Sequence, residues 1–400
     1  MLYPQCDDIE EKMIKREAGF TMTELLITMS IFIFAIMAIT NVFVPLLTQF
    51  KQHSKIAETQ IEGIVGLDIL RRDLEQAGFG LPWVIPTAVT YLEGSGNTVG
   101  TIPAPNTNTI NDATADPPRA IASINNVAGL GSSDYLVIKA TSVATNNASM
   151  KWTQVVGTSG GGNSVKIWGS AEEDLNSNDR VIVIIPARGQ SNQRVLVYDG
   201  GAFYTQFNAA AFPNALAPST ENDIFLIYGV DPSSNLRMPF NRADYYIENI
   251  SGTTVIPTRC AAGTGILMKA VIDQRSGDRT EGMPLLDCVA DMQVIYRLDR
   301  DGDGTIESTT DVLTDASGNA LTAQQLRDQL KEVRLYILAH EGQKDTSFTY
   351  QNSSIEIPAA PDPGSGAGRT FDFNSSGITD WQNYRWKVYS IVVKPNNLKS

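Results

Sequence analysis

The sequence is short of the residues on which catalysis usually depends. Its two histidines, His53 and His340, are far apart in the chain. The chain has no Gly-x-Ser-x-Gly nucleophile motif, no His-Glu-x-x-His zinc motif and no phosphate-binding loop. A glycine-rich stretch at 364–368 lacks the strand and helix that a phosphate loop needs. We therefore expect a protein that is not an enzyme.

Basic residues are also scarce. The 31 Lys and Arg residues are outnumbered by 44 Asp and Glu residues, and the formal net charge is −13. Nucleic-acid binding depends on Lys and Arg contacts to phosphates. We therefore expect no nucleic-acid partner, while the composition alone leaves a local basic patch open.

Formal charge is absent from residues 25–47, which form a nearly pure apolar run. A run of this length is enough to cross the hydrocarbon core of a bilayer as one helix. One acid, Glu24, stands immediately before it. A carboxylate at the end of a membrane helix is energetically expensive, which indicates a functional role for Glu24.

The residues before this run are arranged in an unusual order. An ordinary secretory signal is cleaved after its apolar stretch. Here the basic residues Lys15 and Arg16 precede Gly19, and the apolar stretch follows the glycine. Cleavage after Gly19 would leave the apolar helix on the mature protein. The alternative is a plain N-terminal membrane anchor in which Glu24 is incidental.

This order resembles the type IV prepilin signal, and the matching residues are Lys15, Arg16, Gly19, Phe20, Thr21, Glu24 and Leu25. The resemblance implies that residues 1–19 are a leader peptide that a prepilin peptidase removes after Gly19. It implies that Phe20 becomes the N-methylated first residue. It also implies that Glu24 pairs with the amino terminus of a neighbouring subunit in a filament.

The segment up to about residue 78 contains no turn cluster, which predicts one long helix over 20–78. Its first part, 20–47, is the predicted transmembrane or filament-core helix. Its second part, 48–80, is predicted to lay an apolar stripe on a globular domain. The apolar residues at helical spacing that form this stripe are Ile56, Ile61, Ile64, Val65, Leu67, Ile69, Leu70 and Leu74. Pilins usually have a kink-forming proline where this chain has Asn41. Pro45 follows one turn later, which predicts a kink or local melting over 41–45.

The remainder, 81–400, reads as a β-rich globular domain outside the inner membrane. Short β-like runs recur between turn clusters and predict a mostly antiparallel sheet. These runs are 135–138, 181–185, 195–198, 224–228, 245–248, 266–272, 292–297, 333–339 and 387–393. Hairpin loops are predicted at 143–149 and 157–164, and a short helix at 323–330. Irregular segments are predicted at 85–133, with room for one strand, and at 346–379. The predicted class is α+β, with a pilin-like long N-terminal transmembrane helix packed on an antiparallel sheet.

Cysteine is rare, with three residues in the chain. Cys6 lies in the predicted leader, which leaves Cys260 and Cys288. In an oxidising compartment an even pair of this kind predicts a disulfide, and two buried free thiols are the alternative. A metal site at this pair is not expected, because two cysteines without a nearby histidine make a poor zinc site.

An acidic, glycine-containing stretch follows the predicted strand at 292–297. Acids at loop positions 1, 3 and 5 and a glycine at position 6 match the first half of an EF-hand-like calcium loop. The candidate ligands are Asp299, Asp301, Asp303, Thr305 through its carbonyl, Glu307, and Asp311. Position 12 is Thr310 instead of an acid, and Asp311 comes one residue late. The stretch 299–311 therefore predicts a structural Ca²⁺ site in a β-loop, with an acidic Asp-Gly turn as the alternative.

Four further stretches, 70–79, 288–299, 333–338 and 384–393, resemble parts of the PilW-type minor pilins of type IV pili. The middle of the chain, 85–240, resembles no family. The resemblance implies a single-pass precursor in a bacterial inner membrane with a periplasmic globular domain, which then moves to the pilus or cell surface. The implied partners are other major and minor pilins, the prepilin peptidase and the inner-membrane assembly machinery.

The implied role is to start pilus assembly or form its tip, and so to promote pilus display, adhesion or twitching motility. Two alternatives stay open: a minor pseudopilin of a type II secretion system, and a pilus-tip adhesin whose ligand docks on 85–240.

Overall fold

A computed structural model of the chain describes residues 19–99, 102–186, 194–248, 256–357 and 367–398, apart from the side chains of Thr59 and Glu62. The predicted leader lies outside these ranges except for Gly19, and so does Cys6. The chain divides into two compact units, with the boundary between Ser54 and Lys55.

The predicted long helix is confirmed. Helix α1 runs over Met22–Glu75 and contains Pro45. A kink or local melting was expected over 41–45. Helical structure continues there without a break, so local melting is wrong, and the kink stays a prediction. A proline removes one backbone hydrogen bond, and the bonds on either side of it keep the helix together. Soon after the helix, Gly78 and Gly80 have φ values of 83° and 67°, a left-handed conformation that favours glycine and turns the chain.

The rest of the described chain is mostly β-structure. The strands are β1 Ile121–Val127, β2 Ser133–Ala140, β3 Trp152–Thr158, β4 Gly162–Val165, β5 Arg180–Ile185, β6 Val195–Leu196, β7 Thr205–Gln206, β8 Ile224–Asp231, β9 Asn241–Glu248, β10 Gly265–Val271, β11 Met283–Leu298, β12 Ser308–Thr310, β13 Leu330–Glu341, β14 Ser354–Ile357, β15 Arg369–Asp372 and β16 Arg385–Val393. A short second helix, α2, covers Ala323–Gln329. All nine predicted strands and the short helix are confirmed, and the α+β class with them.

The strands form three sheets in which each pair of strands is antiparallel. The largest has the order β1-β2-β9-β10-β11-β13-β16, with β12 paired to β11. The second has the order β4-β3-β8-β5-β6, with β7 paired to β5. Strands β14 and β15 form a separate hairpin.

Three loop predictions have different outcomes. The hairpin predicted at 157–164 is confirmed, because it joins β3 to β4. The segment 143–149 is not a hairpin, since it connects β2 in one sheet to β3 in the other. The segment 346–379 contains the hairpin of β14 and β15, whose inward residues Ile357 and Phe371 are buried. The frequent Gly, Pro and Ser residues of this segment led to the prediction of an irregular loop, so this hairpin and its small apolar core were not predicted.

The second half of α1 packs on the large sheet. Leu67, Leu70 and Leu74 are buried in the main apolar core together with residues of β11. Gly66 is what allows this approach: a Cβ at this position would lie 1.8 Å from the carbonyl oxygen of Leu285. The predicted apolar stripe therefore packs on the sheet with only some of its residues. Several of its members stay exposed, namely Ile61, Ile64 and Val65.

A buried ion pair also holds the helix to the sheet. The Asp73 carboxylate on α1 is in contact with the Lys269 ammonium on β10 and accepts a hydrogen bond from the Tyr245 hydroxyl on β9. Burial raises the pKa of Asp73, while the Lys269 charge and the hydrogen bonds partly oppose that rise. The end of α1 is thus fixed by both apolar and ionic contacts.

Candidate functional site

The predicted processing and assembly residues lie at the exposed start of α1. Gly19 and Phe20 precede the helix, and the Phe20 side chain is 84% exposed. The Glu24 carboxylate accepts hydrogen bonds from the backbone N–H and the hydroxyl of Thr21, both at 2.9 Å. The Glu24 N–H in turn donates to the Thr21 hydroxyl oxygen at 3.3 Å.

This reciprocal pattern is a capping box, which satisfies free N–H groups at a helix start. Within the isolated chain, Glu24 therefore has a structural partner that the sequence reasoning did not consider. A capping box uses Glu or Gln equally well, because it needs an acceptor oxygen and not a charge. The geometry thus separates two roles for Glu24: a helix cap inside the chain and an ionic contact to another chain.

The apolar residues that follow Glu24 form a continuous exposed surface on the first half of α1. In the first half of α1 every large apolar side chain from Leu25 to Phe50 is exposed. By length and composition, this helix can cross a membrane. Contiguous apolar surface of this extent on a soluble monomer indicates a membrane or protein partner.

The acidic loop connects two paired strands. Strand β12 pairs with the end of β11, so residues 299–307 form a hairpin connection, as the flanking sequence predicted. Four acids converge there, since carboxylate oxygens of Asp299, Asp301, Asp303 and Glu307 all lie within 4.8 Å of one another. Opposite oxygens around a calcium ion are at most about 5 Å apart, because each Ca–O distance is 2.3–2.6 Å. These four residues can therefore hold a hard cation.

The same carboxylates also cap the loop backbone. Asp299 accepts from the N–H groups of Gly302 at 2.7 Å and Gly304 at 3.1 Å. Asp303 accepts from the Thr305 N–H at 2.7 Å, and Glu307 from the Arg300 N–H at 2.8 Å. These bonds are typical of a tight acidic turn, so both alternatives from the sequence remain.

Asp299 is the buried member of the group, and the other three acids are exposed. Desolvation acts to raise the pKa of Asp299, but the bonds from Gly302 and Gly304 and the Lys331 ammonium outweigh it and lower the pKa. The Lys331 nitrogen lies 3.3 Å from the carboxylate. A resident cation would have to compete with this lysine for one oxygen.

Asp311 does not join this group. It follows β12, whose ladder with β11 fixes its position, and its charge acts instead on the buried Asp134 and Tyr296. Burial is the main cause that raises the pKa of Asp134 to about 7, with the charges of Asp291 and Asp311 adding to it. The substitution of Asp311 for the missing twelfth ligand is therefore not supported by the geometry.

The two remaining cysteines are brought together. The Sγ atoms of Cys260 and Cys288 are 2.00 Å apart, which makes them a disulfide-capable pair. The premise that no histidine is nearby is wrong, because His340 on β13 lies within 4.8 Å of both sulfurs. Its Nε2 accepts a hydrogen bond from the Ala261 N–H at 2.9 Å. Burial is the main cause that lowers the pKa of His340 to about 3, so this imidazole is neutral at physiological pH.

Sequence reasoning missed a cluster of buried charges beneath the segment 93–119. The Lys139 ammonium contacts both oxygens of Glu93 at 2.9 Å and one oxygen of Asp112 at 2.5 Å. Arg242 pairs with Asp244 at 2.7 Å and reaches Glu93 at 3.4 Å. These side chains are at most 8% exposed. The sequence did contain an indication of this cluster. Lys139 lies in the apolar run of strand β2, and a buried charge of this kind needs a partner of opposite charge.

This chain was compared with protein families, curated proteins and solved structures, and none of them gave a match.

Proposed function

We propose that this protein is a minor pilin of a type IV pilus, processed after Gly19 and N-methylated at Phe20. In this role it is inserted in the inner membrane as a precursor and then packs with other pilins through the first half of α1. Its globular domain is periplasmic before assembly and displayed at the pilus or cell surface afterwards. The work of such a protein is assembly of a filament or its tip.

The order of features at the start of the chain carries this proposal. A glycine and an aromatic residue are followed by one acid and then by a charge-free run. The exposed apolar side chains of that run give it further support, since a helix without contacts in its own chain needs another environment. A plain membrane anchor would explain the run, and the capping box would explain the acid, but neither explains the glycine and aromatic residue that precede them at the prepilin spacing.

The first experiment tests processing. The full chain and its Gly19→Ala variant are produced in a host that has a prepilin peptidase, and the membrane fraction is analysed by mass spectrometry. The wild type should lose its leader of about 2 kDa and gain one methyl group at Phe20, whereas Gly19→Ala should keep the leader. If the wild type and Gly19→Ala differ only by the mass that the substitution itself adds, or do not differ at all, the proposal is refuted.

The second experiment uses the capping box to test the assembly role of Glu24. Glu24→Gln keeps an acceptor for the Thr21 N–H and removes the charge, whereas Thr21→Val removes the hydroxyl and keeps the charge. If Glu24 pairs with a neighbouring amino terminus, Glu24→Gln should be processed but absent from sheared filaments, and Thr21→Val should be incorporated. The reverse result would assign Glu24 to helix capping alone.

We also propose that the acidic loop binds Ca²⁺ as a structural ion, through Asp299, Asp301, Asp303 and Glu307. The convergence of four carboxylates supports this, with Thr305 as a further oxygen donor through its carbonyl. Calcium should raise the melting temperature of the full chain in detergent, and Asp301→Ala combined with Asp303→Ala should abolish that rise. If calcium does not raise the melting temperature of the wild type, the loop is only an acidic turn.

A further inference from the structure

A cleft of about 700 Å³ opens between the segment 108–119 and helix α2. Its wall includes Trp83, Asn108, Asp116, Gln324 and Arg327. This volume lies within the usual range for small-ligand sites. The cleft shares no residue with the acidic loop or with the start of α1.

One side of the cleft is held rigidly by the buried charge cluster. Arg119 donates to Asp112 at 2.5 Å and to the Thr109 carbonyl at 2.9 Å. The Asn111 side-chain oxygen accepts from Arg242 at 2.6 Å. Because these groups already form hydrogen bonds and an ion pair with one another, they make a rigid wall of the cleft. The other polar residues of the cleft are therefore the ones available to contact a ligand.

Two guanidinium groups lie over the rings of Trp83. The Arg194 and Arg327 guanidinium carbons each lie 4.7 Å from the centre of an indole ring of Trp83. Neither arginine forms an ion pair with a carboxylate in the part of the chain that the structure describes. Burial lowers the pKa of Arg327, Asp328 opposes this, and the positive charge of Arg194 lowers it further. A bound anion would relieve this repulsion and the partial desolvation.

The other polar groups of the cleft suit hydroxyl groups. Asn108, Asp116 and Gln324 are exposed, and within the described residues their side chains make no hydrogen bond or ion pair. An amide both donates and accepts, and a carboxylate accepts twice, so these three side chains match the adjacent hydroxyls of a sugar. Because guanidinium groups cover Trp83, recognition here is polar and does not depend on stacking against the indole.

We propose that this cleft binds a carboxylate-bearing saccharide, with its carboxylate on Arg327 and its hydroxyls on Asn108, Asp116 and Gln324. Arginine favours this pairing, because its planar fork matches a carboxylate with two parallel hydrogen bonds. The proposal does not depend on assembly into a filament. The site combines Asn108 and Asp116 of the middle segment with Gln324 and Arg327 of α2.

Binding is measured by calorimetry on the full chain in a detergent without a sugar headgroup. The two acidic probes are 3′-sialyllactose and trigalacturonate, and their neutral controls are lactose and the methyl ester of trigalacturonate. At least one acidic probe should bind with a Kd of about 1 mM or tighter. The two acidic probes distinguish a sialic acid from a uronic acid as the source of the carboxylate.

Arg327→Gln should weaken binding of the acidic probe by at least about tenfold, and Arg327→Lys by less, since lysine keeps the charge but loses the planar fork. The matched control is Arg275→Gln, which removes the same charge from an exposed loop residue outside the cleft and should change affinity by less than about twofold. Asn108→Ala combined with Gln324→Ala should also weaken binding. Both residues are exposed, so these substitutions should not affect folding.

Three results would overturn the proposal. The first is that neither acidic probe binds at about 10 mM, and the second is that neutral and acidic probes bind equally. The third is that the Arg327 and the double amide variants all bind as the wild type does. Tighter binding of triglutamate than of both sugars would assign the cleft to an acidic polypeptide instead.

Discussion

The two halves of α1 differ in what surrounds them, although they belong to one continuous helix. From Leu25 to Phe50 the large apolar side chains are exposed, whereas Leu67, Leu70 and Leu74 are buried in the core of the β domain. The first half is apolar on all sides, and the second has charges on its outer face. The same secondary structure therefore serves two purposes. The second half stabilises this chain through its buried face, whereas the exposed apolar surface of the first half indicates a membrane or protein partner.

The contrast extends to the acids on the two halves. Asp73 is buried and has a cation and a hydroxyl as partners from two strands. Glu24 is exposed, and its partner within the described chain is Thr21, one turn away. Asp73 therefore stabilises the fold, whereas Glu24 remains accessible to another molecule.

The largest effect should come from breaking the ion pair of the second half. Lys269→Met leaves the buried Asp73 carboxylate without its cation, which should cost about 3–5 kcal/mol of the free energy of unfolding at neutral pH. Lys269 lowers the pKa of Asp73, so its removal raises that pKa further. When the pKa of a carboxyl is higher in the folded protein than in the unfolded one, the folded state is favoured at pH values below the unfolded-state pKa. That contribution to stability is lost as the pH rises through the folded-state pKa. The loss should therefore be larger at pH 7.5 than at pH 4.5.

This test needs urea unfolding of the full chain in detergent, followed by tryptophan fluorescence. All five tryptophans lie beyond Ser54, so the signal reports the β domain. Lys344→Met is the matched control, because its pair with Asp380 is exposed to solvent and should have little effect on the free energy of unfolding. Asp73→Asn combined with Lys269→Met should recover part of the loss, since it removes both charges and keeps an acceptor for Tyr245. A loss independent of pH would contradict the role assigned to the Asp73 charge.

The next effect concerns the close approach of the second half to the sheet. Gly66→Ala places a methyl group 1.8 Å from the Leu285 carbonyl oxygen, so the backbone has to move, at a cost of about 1–3 kcal/mol or more. Gly63→Ala is the matched control, because its nearest contact is the flexible end of Leu286 at 3.1 Å. Alanine favours a helix over glycine by about 1 kcal/mol, so Gly63→Ala should be neutral or stabilising. Similar unfolding midpoints for the two variants would show that the helix is not tightly packed on the sheet.

Much of this division could be predicted from the sequence. The charge-free run set the extent of the first half, and helical spacing placed Leu67, Leu70 and Leu74 on the buried face. The spacing also included Ile61, Ile64 and Val65, which the structure leaves exposed. A period of 3.6 residues identifies a face of a helix but not how far along that face the partner sheet extends.

The charged parts of the structure were harder to predict. The acidic loop was visible because its acids are neighbours in sequence. Lys139 and Arg242 are far apart in sequence and meet only because β2 pairs with β9, and Glu93 reaches them from a segment outside the sheets. The same reason hid His340, which reaches the cysteine pair through strand pairing. The cleft at Trp83 was missed as well, because its wall combines the segment 108–119 with α2.

The smallest effect on stability is expected in the first half of α1. Phe34→Ala removes an aromatic side chain that is 71% exposed, so the free energy of unfolding of the β domain should change by less than about 0.5 kcal/mol. Leu70→Ala, in the second half, should cost about 2–5 kcal/mol, because this side chain is fully buried. Tryptophan fluorescence during urea unfolding measures both. If the first half packs with other pilins, Phe34→Ala should still reduce the amount of this protein in sheared filaments, whereas an unchanged amount together with unchanged stability would leave this side chain with contacts to lipid alone.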